Sequence, residues 1–305
     1  MAVFILRRLA ALVAVIWVIV TVTFILLNTV EGGPYDSERR ALSPAVEKNL
    51  RARYKLDLTP WRRYWSYMAH TARFDLGPSF QYEDTTVNDI IREKFPYSAL
   101  LGVLSVFISL GAGVPVGVVS ALKQNRWTDH LSMFGAIVCV SVPNFVLAAL
   151  LIHVFVNKLG WLRLGMEGPQ SLILPSLSLA AFSLAYITRM TRASMLETMR
   201  SDYVRTARAK GLSVAQAIVR HALRNALLPV VTYLGPLIAS VATGSFVIEY
   251  FFGIPGLGKY FVLGVQNRDH GVVLGLAIFY SAILVTMNTI VDIAYAWLDP
   301  RIKLG

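Results

Sequence analysis

Six stretches of this sequence are long, apolar and free of Asp, Glu, Lys and Arg. A helix needs roughly 20 consecutive apolar residues to cross a bilayer core about 30 Å thick, and each stretch reaches that length. Charged clusters, glycines or prolines separate the stretches. The pattern predicts six transmembrane helices, at 9–30, 97–122, 131–157, 168–188, 225–248 and 271–291, with the last continuing to about Leu298.

The composition agrees with a polytopic membrane protein of the all-α class. Of the 305 residues, 55% are hydrophobic and 15% are charged, which is too little charge to keep a water-facing surface solvated. Arg7 and Arg8 precede the first stretch as they would in a signal peptide. The uncharged run is longer than the usual apolar region of about 7 to 15 residues, and no clear cleavage site follows it. The first helix is therefore expected to be retained.

The distribution of Lys and Arg predicts that both termini lie in the cytoplasm. The short connections placed inside carry 14 basic residues, whereas the short outside connections carry four. Short cytoplasmic loops are enriched in Lys and Arg, and the long segment between the first two helices exceeds the length over which this rule holds. The net charge of +11 reflects this topology rather than a nucleic-acid partner. The inside segments are the N-terminus, 123–130, 189–224 and 299–305, and the outside segments are 158–167 and 249–270.

The predicted helices divide the chain into four parts. The first is a transmembrane helix with a cytoplasmic N-terminus, and the second is a polar, aromatic-rich extracytoplasmic segment. The third is a core permease domain of five helices, which includes a cytoplasmic loop at 189–228, and the fourth is a cytoplasmic tail. In the second part, Ser43 and Pro44 are expected to open a helix, and 61–67 forms a further helical apolar face that lies on membrane, on a partner or on this protein's own helices. The four parts are 1–30, 31–95, 96–298 and 299–305.

The inside connection at 189–224 is much longer than two neighbouring helices require. Asp202 is placed to cap a short helix at 203–210, with Gly211 just past its end. Ser213 and Gln216 fit a capping box for a second helix that runs from Val214 to about Asn225. The alternative reading of these basic, amphipathic helices is that they lie on the inner leaflet of the membrane.

Several other motifs carry no chemistry of their own. GIPGLGK at 253–259 has the spacing of a phosphate-binding loop, but Tyr260 follows it where Ser or Thr is needed on Mg²⁺, so we interpret it as a re-entrant or capping turn. The five histidines show no ligand spacing, and the single cysteine, Cys139, allows no disulfide. Glu249 and Asp292 fall at the ends of predicted spans and are expected to anchor them or to pair with a neighbouring helix. No metal site, no catalytic residue and no bound cofactor is expected.

Particular runs of sequence resemble the B-type permease subunit of bacterial oligopeptide and dipeptide ABC importers, over nearly the whole chain. They include DYVRTARAKGL at 202–212, RHALRNALLPV at 220–230, VIEYFFGIPGLGKYFV at 247–262 and DIAYAWLDPRIK at 292–303. The sequence departs from the general importer pattern because Arg205, Thr206 and Ala207 stand where Glu-Ala-Ala is usual. The peptide-importer branch resembles this chain in that respect.

The resemblance implies a type I ABC importer transmembrane fold in the bacterial inner membrane. It also implies that the chain forms half of a translocation path for oligopeptides. The implied partners are a second homologous permease, two ATPase subunits that bind ATP and Mg²⁺, an extracytoplasmic peptide-binding protein and the lipid bilayer. The chain itself is then not an enzyme. The residues expected to contact the ATPase are Ser201, Asp202, Tyr203, Val204, Arg205, Thr206, Ala207, Arg208, Ala209, Lys210, Gly211, Arg220 and Arg224.

Polar side chains within the predicted spans are candidates for the translocation path, although each also suits helix packing. An ion-coupled secondary transporter or channel subunit remains the alternative function, and a scaffold is a third. The span centres are nearly free of charge and no repeated halves are evident, which disfavours ion coupling. The path candidates are Asn144, His153, Tyr186, Thr232, Tyr233 and Ser240.

Overall fold

A computed structural model of the chain describes residues 2–29, 57–82, 84–166, 168–242 and 245–298. Within these ranges the regular structure is helical, apart from one isolated bridge between Pro78 and Thr86. The predicted helix that opens at Ser43 and Pro44, and the tail at 299–305, lie outside the described residues. The α-helices are α1 (Ala2–Thr29), α2 (Pro60–Thr71), α3 (Val87–Leu122), α4 (Trp127–Ser141), α5 (Asn144–Leu151), α6 (Ile173–Met199), α7 (Asp202–Ala209), α8 (Val214–Ala217), α9 (Leu223–Ala226), α10 (Leu228–Ala242), α11 (Phe246–Phe252), α12 (Leu257–Gln266) and α13 (His270–Leu298).

Among the described residues, four helices are long and apolar enough to cross a membrane by themselves, and they are α1, α3, α6 and α13. They confirm the first, second, fourth and sixth predicted spans. In α1, only 6% of the window Leu6–Leu26 is buried within the chain. A helix that is apolar all round and exposed within its own chain needs lipid or a partner to cover it. α13 runs to Leu298, as the sequence predicted.

α3 begins at Val87, ten residues before the apolar stretch that predicted it. A capping box starts it, in which the Asp89 amide donates to Thr86 Oγ1 and the Thr86 amide donates to Asp89 Oδ2. With 36 residues, α3 is about 54 Å long. It therefore extends beyond the hydrocarbon core of a bilayer.

α3 packs along α6 through small residues that let the two backbones approach closely. A Cβ atom at Gly117 would lie 2.6 Å from the carbonyl oxygen of Thr188, and one at Gly113 would lie 3.0 Å from the carbonyl oxygen of Leu184. Ser109 Oγ donates across the interface to the Ala180 carbonyl at 3.3 Å. These two helices are the central pair of the bundle.

The predicted span at 131–157 is bent. α4 ends at Ser141, and the chain continues at 107° into α5 and a π-helical extension, Ile152–Lys158. Pro143 explains the break, because its ring restricts the preceding residue to extended conformations and supplies no amide donor. Counting each bent pair as one span brings the number of candidate spans to six.

The second bend follows α10, a helix of 15 residues. The predicted span at 225–248 therefore includes α10 and only the beginning of α11, with a break between them. α11 and α12 then meet at 94° around Gly253, which adopts a left-handed φ of +67°. This confirms the interpretation of GIPGLGK as a turn between two apolar helices.

The segment at 57–82 is held against α13 by Asp269. The buried Asp269 carboxylate accepts from Ser79 Oγ at 2.5 Å and from the amides of Phe80 and Gln81 at 3.1 Å. It also accepts from the Val272 amide at 3.1 Å, so it caps the first turn of α13. One carboxylate thus fixes both a loop and a helix terminus.

α2 confirms the helical face predicted at 61–67. Its Tyr64 is buried and shares a hydrogen bond of 2.8 Å with Thr21 Oγ1 on α1, while Phe24 packs edge-on against the Tyr64 ring. The exposed indoles of Trp61 and Trp65 lie beside this contact. α2 therefore packs on the protein's own first helix, which is one of the three alternatives left open by the sequence.

Candidate functional site

The segment between α6 and α10 forms a compact structure around α7. Ser201 is the N-cap residue of α7, with an extended ψ of 150°, and Asp202 is the first helical residue. The prediction that Asp202 caps this helix is therefore wrong by one position. The Ser201 hydroxyl donates backwards to the Thr198 carbonyl at 2.6 Å instead of capping an amide. Asp202 in the first turn and Arg208 in the last turn both complement the helix dipole.

One face of α7 is buried against the bundle. Val204 and Ala207 are three residues apart, so both side chains lie on the same face, and both are buried. Val204 belongs to a cluster dominated by alanine, whose small side chains let α7 lie close to its neighbours. The other buried members of this cluster are Ala121 at the end of α3, Met195 on α6, and Ala217, Ala222 and Ala226 on the following helices.

The opposite face of α7 is exposed and cationic. An ion pair of 3.9 Å joins Arg205 to Asp202, and both side chains are more than 70% exposed, so it adds little to stability. Asp202 is the only acidic residue in α7, so the cationic side chains of this face outnumber the acids of the helix. The exposed members of the predicted contact set on α7 and at its end are Asp202, Tyr203, Arg205, Thr206, Arg208, Ala209, Lys210 and Gly211.

Gly211 ends α7 with a left-handed φ of +91°, as predicted from its position. The Gly211 amide donates to the Arg208 carbonyl at 3.0 Å, and the Leu212 amide donates to the Ala207 carbonyl at 3.3 Å. The capping box predicted two residues later is also confirmed, because the Gln216 amide donates to Ser213 Oγ and the Ser213 amide donates to Gln216 Oε1. The turn between the helices is thus held by four local hydrogen bonds.

The second predicted helix runs from Val214 to Ala226, but one turn of it, Ile218–Ala222, is π-helical. The wider turn shifts the face on which later residues lie. Asn225 Nδ2 donates to Tyr203 Oη at 2.8 Å, which ties this helix to the exposed face of α7. Arg220 and Arg224 are exposed on the same segment. The structure therefore brings the predicted residues of both helices together.

Sequence reasoning missed an ion pair next to this segment. The Asp129 carboxylate on α4 is buried and binds Arg192 on α6 through two bonds, Nε to Oδ1 at 2.6 Å and Nη2 to Oδ2 at 2.7 Å. Ser120 Oγ donates to Oδ1 at 2.5 Å, and the Asn125 amide donates to Oδ2 at 2.9 Å. The only signal in the sequence is an acid within a short, otherwise basic connection, and nothing local indicates its partner 63 residues away.

The predicted path residues lie on α5, α6 and α10 and in the π-helical extension, and two of them meet. The rings of Tyr186 on α6 and Tyr233 on α10 are 4.5 Å apart. Thr232 Oγ1 and Ser240 Oγ donate to carbonyls of their own helix. Asn144 starts α5 and His153 is exposed in the π-helical extension. The structure thus groups the two tyrosines.

The loop with phosphate-binding spacing is occupied by a side chain of the protein itself. Glu249, on α11, is buried, and its Oε2 accepts from the Gly258 amide at 2.6 Å and from the Lys259 amide at 3.4 Å. Ser98 Oγ accepts from the Leu257 amide at 2.9 Å. A carboxylate therefore caps the N-terminus of α12, where a phosphate-binding loop would present amides to an anion. The expectation that Glu249 pairs with a neighbouring helix is met through backbone amides.

The comparisons with known proteins agree with this architecture. Residues 113–304 match the family described as binding-protein-dependent transport system inner membrane component. The dipeptide transport system permease protein DppB of Bacillus subtilis is 46% identical over 305 residues, which is 100% of this chain and 99% of that protein. The oligopeptide transport system permease protein OppB of Salmonella typhimurium is 43% identical over 303 residues, 98% of this chain and 99% of that protein.

Two solved structures share the fold. An amino acid ABC transporter gives a TM-score of 0.53 at 17% identity, over 70% of this chain and 95% of that chain. The MetNI methionine ABC transporter gives a TM-score of 0.51 at 17% identity, over 67% and 95%. The type I importer fold implied by the sequence motifs is confirmed. The chain therefore belongs to the family of inner membrane components of binding-protein-dependent transport systems, as a multi-pass permease subunit.

Proposed function

We propose that this chain is the transmembrane permease subunit of an ATP-driven bacterial peptide importer and forms half of its translocation path. The relatives described above are named for dipeptide and oligopeptide transport, and they match almost the full length of the chain. The observation that carries the proposal is the construction of α7. Its buried face fixes it to the bundle, and the cationic residues of its opposite face are exposed in the described part of the chain.

In this proposal α7 and Gly211 seat on a partner ATPase in the cytoplasm. A helix that transmits force must be tied to the helices it moves, and Val204, Ala207 and the bond from Asn225 to Tyr203 supply such ties. Arg205, Arg208 and Lys210 then contact the ATPase, with Arg220 and Arg224 beside them. ATP and Mg²⁺ are bound by the ATPase subunits, and this chain contributes no catalytic group.

The proposed assembly contains this chain, a second homologous permease, two ATPases and an extracytoplasmic peptide-binding protein. Both termini of the chain lie in the cytoplasm, and the segment at 31–95 lies outside, where it docks the binding protein. The pair of Tyr186 and Tyr233 faces the path between the two permeases. Tyrosine suits this role because its ring accepts apolar side chains and its hydroxyl reaches main-chain groups of a peptide.

Reconstitution of the assembly in proteoliposomes tests the proposal. Peptide uptake should require ATP, the binding protein and both ATPases, and purified chain alone should hydrolyse no ATP. Peptide or ion flux through the chain alone, driven by an ion gradient without ATP, would establish the secondary transporter or channel instead. Absence of flux in every combination would favour a scaffold.

Charge reversal on α7 tests the contact with the ATPase. Replacement of both Arg205 and Arg208 by Glu should weaken co-purification of the ATPases, because a cationic face is converted to an acidic one. Lys123→Glu combined with Arg126→Glu is the matched control, since it changes the net charge by the same amount and both residues are exposed cations outside α7. Equal loss of ATPase in the two variants would show that net charge, and not α7, is responsible.

A further inference from the structure

The ion pair between Asp129 and Arg192 joins α4 to the part of α6 that precedes α7. Arg192 lies on α6, and only Arg200 and Ser201 separate the end of α6 from α7. The two helices are thus joined by a two-residue linker and by the packing of Met195 against Val204. A displacement of α7 is therefore carried directly into the end of α6 that bears Arg192.

α4 packs along α6 and against the end of α3. Among its 15 residues, two are fully buried in the described part of the chain, and they are Asp129 and Ala136. Asp129 is therefore the one buried charged group that α4 contributes to this contact. Its bidentate geometry with Arg192 fixes orientation as well as distance, which a single bond would not do.

The same carboxylate also holds the connection from α3 to α4. It accepts from Ser120 Oγ at the end of α3 and from the Asn125 amide in the connecting turn. Asn125 has a left-handed φ of +60°, a conformation that Asn tolerates better than most residues and that this bond stabilises. The ends of α3, α4 and α6 thus converge on one buried acid next to α7.

At its other end, α4 turns by 107° into α5, which packs against α6 and α11. A motion of α4 would therefore also move α5, which follows it after the bend. We propose that Asp129 and Arg192 are positioning residues that make α4 move together with α6 and α7, so that motion at the ATPase contact reaches the bend at Pro143. This inference rests on the proposed function, because it assigns a route to the coupling assumed there.

The first test measures how firmly α4 is held relative to α7 in the purified chain, and it requires no transport assay. Cys139 is replaced by Ser, and spin labels are placed at Leu131 on α4 and Ala209 on α7, which are both exposed. Asp129→Asn should broaden the distribution of distances between the labels, because Asn removes the charge and one of the two oxygens that bind Arg192. An unchanged distribution would overturn the proposal whether or not the chain imports peptides.

The second test measures coupling in the reconstituted importer. Asp129→Asn should lower the peptide taken up per ATP hydrolysed by roughly 2- to 30-fold, the range seen for residues that carry coupling between sites, with ATPase co-purification unchanged. Arg192→Lys, which keeps the charge but loses the bidentate geometry, should have an intermediate effect. If Asp129→Asn is not recovered in membranes, Arg192→Lys and Ser120→Ala decide the question by the same two measurements.

Glu93→Gln is the matched control, since Glu93 forms an ion pair with Lys94 and its side chain is 71% exposed. It should leave both the distance distribution and the uptake per ATP at wild-type values. Wild-type uptake per ATP in the Asp129 and Arg192 variants would overturn the positioning role while leaving the importer function intact. Failure of the wild-type assembly to take up peptide would instead refute the proposed function, with the distance measurement still standing.

Discussion

The contact between α3 and α6 predicts a large difference between two glycines on one helix. A Cβ atom at Gly117 would lie 2.6 Å from the Thr188 carbonyl oxygen and 2.7 Å from Thr191 Cβ, whereas one at Gly111 would meet nothing within 4 Å. Ordinary contact begins at 3.4 Å, so α3 and α6 must separate by roughly 0.8 Å to accept the methyl group at Gly117. Both obstructing atoms belong to the α6 backbone or to a Cβ, which cannot rotate away.

The expected magnitude follows from comparing the two alanine variants. Overpacking of a closely packed interior costs about 1–3 kcal/mol. The higher helix propensity of Ala over Gly is worth about 1 kcal/mol and cancels in the difference, since both sites lie within α3. Gly117→Ala should therefore be less stable than Gly111→Ala by about 1–3 kcal/mol, which lowers the ratio of folded to unfolded protein by roughly 5- to 150-fold.

The measurement is reversible unfolding of the purified chain in mixed micelles of increasing denaturing detergent, followed by tryptophan fluorescence. Gly111→Ala should be as stable as the wild type or slightly more stable. Equal midpoints for the two variants would refute the reasoning, because they would show that α3 and α6 are not in backbone contact at this position.

The segment around α7 and the segment at 57–82 allow further tests. Gly211→Pro, which cannot adopt the φ of +91° and loses its amide donor, should abolish ATP-driven uptake while membrane fractionation still finds the chain inserted; normal uptake would remove Gly211 from the coupling element. Asp269→Asn should speed limited proteolysis within 57–82, because four donors lose a charged acceptor, and an unchanged cleavage rate would contradict the anchor. Ser213→Ala should cost about 0.5–2 kcal/mol and accelerate amide exchange in the first turn of α8, whereas Ser201→Ala, which caps no amide, should leave exchange in α7 unchanged.

Local signals predicted much of this architecture correctly. Run length alone located α1, α6 and α13, because an apolar helix of spanning length needs no information from elsewhere in the chain. The capping box at Ser213 and the left-handed turn at Gly211 were predictable for the same reason, since their hydrogen bonds join residues no more than five positions apart.

The features that the sequence did not reveal are a bend, two sets of long-range contacts and the position of one helix cap. The bend at Pro143 turns one apolar run into two helices, and apolar composition does not distinguish a straight span from a bent one. Arg192 lies 63 residues from Asp129, and Ser79 lies 190 residues from Asp269, so no short window along the sequence contains both members of either pair. The cap at Ser201 was missed by one residue because Ser and Asp are both good N-cap residues.

The carboxylate of Glu249 has a consequence for what the loop at 253–259 can hold. The amides at the start of a helix form a ready site for an anion. Here the Gly258 and Lys259 amides already donate to Oε2 of the buried Glu249 side chain. A phosphate group would have to displace a carboxyl group that belongs to the neighbouring helix α11. The spacing of a nucleotide-binding loop therefore serves in this chain to join α11 to α12.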